Sequence, residues 1–210
     1  MKLNAAYFAV ILLLGAAPAV CPAQDFSADV QFIEGNVNAS SPKASNSGHD
    51  LSKLFVSADK IRLELAGSTR TVLLLNTAEQ TAYALFPAKK EYEPLAGGFS
   101  EYFRVSDAEK ACSDWQKSSA QKIDCEKVGR EVVDGRQTVK YRNKGASDVA
   151  ISAVWIDLKM KFVLKWEGAG SGVVLRNIQE GKQAADLFTL PSDYDITQPR
   201  KGTNKGFSHR

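Results

Sequence analysis

Apolar and polar positions alternate along most of this chain, most clearly around residue 160. In "AVWIDLKMKFVLKWEG" (153–168), Met160, Phe162, Leu164 and Trp166 share one face of an extended strand, with Lys159, Lys161, Lys165 and Glu167 on the other. Upstream, Val149, Ile151, Ala153 and Trp155 alternate in the same way, so the two runs form a hairpin joined by a tight turn. A sheet this amphipathic must lay its apolar face against a helix, a second sheet or a ligand.

The rest of the chain repeats the theme. "DFSADVQFIEG" alternates through Phe26, Ala28, Val30 and Phe32, and "DKIRLELAG" sets Ile61, Leu63 and Leu65 against Lys60, Arg62 and Glu64. "LSKLFVS", "TAYALFP" and "KEYEPL" are further short strands, while "TVLLLN" is apolar on both faces, as a covered central strand would be. "VGREVV" and "QTVKYRN" flank Asp134-Gly135, a strong two-residue hairpin signal, and "SGVVLRNIQEG" and "ADLFTL" follow later. The polar stretch "NVNASSPKASNSGHD" has no period and reads as a connection.

One segment changes period. In "SDAEKACSDWQKSSA", Ser106 and Glu109 have the spacing of a capping box, and Ala108, Ala111, Cys112 and Trp115 recur at helical intervals. The pattern predicts a helix over 106–120. About ten or eleven strands against one or two helices make the fold mainly β (α+β). The expected architecture is a large curved antiparallel sheet, or unclosed β-barrel, wrapped around one or two helices.

The amino terminus lies outside that pattern. "MKLNAAYFAVILLLGAAPAVCPAQ" has an early cation at Lys2, an apolar run over 8–14 and small residues ending at Ala23, the layout of a signal peptide. Bulky Val20 before Cys21 suits a lipoprotein anchor poorly, so cleavage is expected after Ala23. The reading is then a signal peptide at 1–23, one domain over 24–198 and a basic tail over 199–210. Only Cys112 and Cys125 remain in the exported chain, and without a Cys-x-x-Cys spacing they are expected to form a structural disulfide.

Charge narrows the partners. The chain carries +3; losing Lys2 leaves +2, and the four cations of the tail (Arg200, Lys201, Lys205, Arg210) leave the remaining domain at −2. A nearly neutral exported domain is no nucleic-acid binder, although the tail could touch an anionic envelope surface. Catalytic signals are poor. The two histidines, His49 and His209, lie in the polar connection and the tail, without neighbours for a metal site or a catalytic triad. The expectation is a non-enzymatic monomer with no cofactor and no metal, in the periplasm or outside the cell.

The order of the pieces resembles the LolA/LolB-like superfamily of bacterial outer-membrane lipoprotein carriers and receptors. The resemblance rests on "FSADVQF", "LSKLFVSADKIRLELAG", "TVLLLNTAEQTAYALFPAKKEYEPL" and the closing "DLFTLPSDYDI", and covers nearly all of the exported chain. Two departures separate the chain from the carrier itself: the first strand begins almost at Gln24, and Ser57-Ala58-Asp59 stands where the carrier has a basic residue before proline. The resemblance implies an unclosed barrel whose concave apolar face holds acyl chains. The candidate ligand-binding residues are therefore Trp155, Met160, Phe162, Leu164, Trp166, Ile61, Leu63 and Leu65, with lipid or lipoprotein as partner. The other reading is an envelope structural or interaction protein whose sheet encloses a filled core and no ligand.

Overall fold

The structure, a computed structural model, describes residues 24–34, 43–44, 51–67, 69–96, 103–118, 124–144, 151–168 and 170–197. The signal segment, Cys21, His49, Val149 and the basic tail lie outside the described residues.

Seven strands come first: β1 (Phe26–Glu34), β2 (Lys43–Ala44), β3 (Ser52–Ser57), β4 (Lys60–Leu65), β5 (Thr71–Asn76), β6 (Thr81–Phe86) and β7 (Glu91–Pro94). The helix α1 (Ala111–Ser118) follows. Then come β8 (Cys125–Val133), β9 (Arg136–Asn143), β10 (Ile151–Asp157), β11 (Val163–Gly168) and β12 (Ser171–Glu180). A 3-10 turn (Ala185–Phe188) and β13 (Asp195–Ile196) close the described chain. The thirteen strands among the described residues join one sheet in the order β13-β7-β6-β5-β4-β3-β1-β12-β11-β10-β9-β8, with β2 beside β1. The sheet is mainly antiparallel, curved and unclosed, as the sequence pattern predicts; β13 alone runs parallel to its neighbour, β7. Two meanders, β3–β7 and β8–β12, are joined where β1 pairs with β12.

Turn chemistry sets the register. Asp134 and Gly135 both have positive φ (51° and 75°), and Val133 faces Arg136, which is the expected two-residue hairpin. The 151–168 hairpin is not as tight as its sequence suggests. The chain turns over 158–162, so Met160 lies in the turn and β11 begins only at Val163. Asp157, 2% exposed, organises this turn. Its carboxylate accepts the Lys159 and Met160 N–H groups at 2.8 and 2.6 Å and the Arg136 Nε at 2.6 Å.

The helix starts later than the period predicts. Residues 107–110 form turns, and α1 opens at Ala111, five residues after Ser106. The capping box is not formed. Ser106 donates its N–H and hydroxyl to Asp114, while the Glu109 carboxylate pairs with Lys127 and Arg130 on β8. Two cations across the sheet edge outcompete one backbone N–H for that carboxylate. Glu109 is thereby held below the ordinary carboxylate range, by Lys127 first and Arg130 second.

Cys112 and Cys125 form a disulfide with Cα atoms 5.5 Å apart, tying α1 to the start of β8. Tyr141 on β9 donates its hydroxyl to the Ala108 carbonyl at 2.8 Å and meets Trp115 edge-on at 5.6 Å. With a separation of 13 residues, removing the link by Cys112→Ala/Cys125→Ala should cost about 3 kcal/mol. Urea denaturation measures that cost. Alkylation of denatured, unreduced protein should modify neither Cys112 nor Cys125.

Candidate apolar binding cavity

Residues opposite one another in an antiparallel pair share a face, so the pairing defines the cavity wall. Leu54, Leu63 and Leu73 stand in one row across β3, β4 and β5, and Ile61 stands opposite Leu75. Val30 faces Leu175 across β1 and β12, and Phe32, Val173 and Trp166 continue the same face onto β11. All ten side chains line one cavity of about 240 Å³, together with Leu65, Leu95, Phe103, Phe162, Val163 and Leu164. Strands as distant in the sheet as β5 and β11 meet there because the sheet curls.

Among the described residues, α1 covers only part of this face. Val105, Ala108, Ala111 and Trp115 pack on Val139, Tyr141, Ile156 and Val163, over β9, β10 and the start of β11. Beyond Trp166, which touches both clusters, the sheet has no helix among the described residues to cover it. Phe162 forms the inner end of this region, edge-on to Phe26 at 5.1 Å and stacked with Phe103 at 6.1 Å. Phe103 is held there by backbone pairing: its carbonyl accepts from Val163, and the Lys161 carbonyl accepts from Val105. The Arg104 guanidinium lies over the Phe162 ring at 5.7 Å; burial pulls its pKa down, and Asp59 and Asp25 oppose that pull.

All sixteen described lining side chains are apolar, and among them the Trp166 indole is the single one with an N–H. Leu63, Leu65 and Leu73 are only half-buried, and Phe32 is 47% exposed. Among the described residues, no group of three His, Cys, Asp or Glu could hold a metal ion.

Of the residues singled out from sequence, Ile61, Leu63, Leu65, Phe162, Leu164 and Trp166 line this cavity. Met160 and Trp155 do not. Met160 is 2% exposed in the core around the turn. Trp155 lies on the opposite face of the sheet, because its pairing partners are Lys165 and Lys140, whereas Val154 pairs with Trp166. The Trp155 ring lies between the Lys140 and Lys165 ammonium groups, 4.6 and 4.2 Å from its centroid, and its Nε1 donates to Glu131 at 2.6 Å. The β10 strand is apolar on both faces, and alternation alone could not say which set turned inward. The same ambiguity hid Leu73 and Leu75 within "TVLLLN". Val30 and Phe32 belong to an alternating set in the sequence, but alternation does not place them in a site.

The Trp155 arrangement has a pH signature. The Trp155 N–H first, and Lys140 second, hold the Glu131 carboxyl below its usual range. A depressed folded-state pKa contributes stability above the unfolded value, near 4.3, that is lost as pH falls through the folded value. The stability gap between the wild type and Glu131→Gln should therefore be present at neutral pH and close below about pH 4. Urea midpoints measured across that range check it, and a gap unchanged at low pH would contradict it.

No protein-family model matches the sequence, and no match is found among curated proteins. Among solved structures the chain is similar to PNGF-II, with a TM-score of 0.52 at 14% identity over 83% of this chain, which spans only 31% of PNGF-II. It is similar to the MucA/MucB complex of Pseudomonas aeruginosa, with a TM-score of 0.45 at 13% identity, covering 85% of this chain and 59% of that one. A third likeness is to a domain from Vibrio parahaemolyticus described as a "putative outer membrane lipoprotein-sorting protein domain", with a TM-score of 0.25 at 15% identity, covering 78% of this chain and 88% of that one. At 14% identity the likeness to PNGF-II is one of fold alone.

Proposed function

We propose that this is an exported, non-enzymatic binding protein that holds the hydrocarbon part of a lipid or lipidated molecule in the cavity between β1, β3–β5 and β11–β12. One observation carries the reading: among the described residues, sixteen apolar side chains converge on an open space, several of them only half-buried. Each large apolar side chain left wet forfeits ~1.5–3 kcal/mol of burial, so a wall of this kind gains stability from an apolar guest. The lining supplies hydrocarbon and one indole, which suits retention of a guest rather than chemistry on it. Export is supported by the leader-like composition of residues 1–23 and by the disulfide.

A fluorescent fatty acid should bind the purified protein saturably after lipid extraction. Leu63→Lys places an ammonium in the middle of the leucine row, where its long stem can still reach water. It should weaken uptake about tenfold or more, from the loss of one leucine contact, while circular dichroism and melting stay near the wild type. A wild type with no saturable uptake would reduce this face to a protein core and sink the proposal.

A further inference from the structure

We infer, resting on that reading, that the cavity takes one hydrocarbon chain of about ten carbons and is indifferent to the head group, so a multiply acylated lipoprotein is not its cargo. Volume sets the first half of this. A dry apolar cavity of about 150 Å³ accommodates benzene, with six carbons. At the same packing, 240 Å³ holds about ten carbons, which is one medium-length chain or the end of a longer one. Two chains side by side need about twice that space, and three need more.

The space cannot be widened cheaply. On one side Val163 and Trp166 are shared with the cluster packed under α1, and Cys112–Cys125 ties that helix to β8. On another, Phe162 is 1% exposed and wedged between Phe26 and Phe103. The rest of the described wall is hydrogen-bonded sheet from β5 through β12, with Leu95 just past β7 held by its N–H to the Ala82 carbonyl.

Lining chemistry sets the second half. Among the described residues no charged or hydroxyl side chain lines the cavity, and the Arg104 guanidinium, over the Phe162 ring, is not part of the lining, so a carboxylate or phosphate drawn among these side chains would be desolvated with no lining group to pair with. The polar end must stay at the mouth, on the side marked by exposed Phe32. Recognition then reads the length and number of chains.

The test is competition against a bound fluorescent fatty acid, using the purified protein. The competitors are fatty acids of increasing length, their methyl esters, a diacyl phosphatidylglycerol and a triacylated lipopeptide. Affinity should rise about fourfold per methylene up to about ten carbons and then level off. Acid and ester of equal length should compete alike, and the triacylated lipopeptide should not displace the probe. Leu73→Phe, which adds volume at the wall, should move the break to a shorter chain; Leu65→Phe serves if that variant does not fold. Affinity that keeps climbing well beyond ten carbons, or displacement by the lipopeptide at the level of a single chain, overturns this inference and leaves the binding function standing. Absence of probe binding overturns both.

Discussion

The structure is governed by a mismatch of widths: among the described residues, the apolar face of the sheet is far broader than the one α-helix that covers it. An eight-residue helix is about 12 Å long, and strands lie about 4.8 Å apart, so α1 can shield two or three of them. It does so over β9, β10 and the start of β11, fixed by the disulfide, the Tyr141 hydroxyl and the Trp115 ring. Among the described residues the other strands have no α-helix to lie on. They curl until β5 and β11 share a wall, and the cavity is what that curling leaves unfilled.

The opposite face faces the same shortage and meets it in two other ways. On β5 and β6, Val72, Leu74 and Leu85 are covered by the carboxy-terminal segment through Leu190 and Tyr194. That segment is latched by Arg62 to the Leu187 carbonyl, by Asp195 to Lys90 and by Thr197 to Tyr92. On β10 the cover is made of lysine. The Lys140 and Lys165 side chains lie across Trp155 with their ammonium groups over the ring, and Glu131 caps the indole N–H. Trp155 is thereby as buried as a core residue, at 2% exposure, on a face rich in charge.

The Asp157 turn connects these faces. Its carboxylate holds two turn N–H groups and Arg136, which reaches on to Glu180 at the end of β12. Removing Arg136 would leave a buried, uncompensated charge, and charge pairs of this kind specify geometry more than they add stability. Here the geometry that matters is the exit from the turn, which sends Phe162 between Phe26 and Phe103 at the cavity's inner end.

Much of this was legible in the sequence, because period-2 alternation is a local property of the chain. The strands, the Asp134-Gly135 hairpin, the Cys112–Cys125 pair and the shared face of Ile61, Leu63 and Leu65 all follow from neighbours within a few residues. What alternation cannot supply is an absolute direction. Where both faces are apolar, as in β5 and β10, the two parities are equivalent until a partner strand is chosen, so the pattern makes Trp155 a cavity candidate although it pairs with Lys165, and it singles out neither Leu73 nor Leu75. A turn can also end a run without breaking its pattern, as 158–162 does at Met160. Glu109 left its capping position for Lys127 and Arg130, residues that lie 18 and 21 positions away and become its neighbours only once β8 is in place. Periodicity along the chain therefore determined the elements and their amphipathic character. Which face turned inward, and how much of it the helix left uncovered, was decided by strand pairing and burial across the whole sheet, since those energies arise only from contacts remote in sequence.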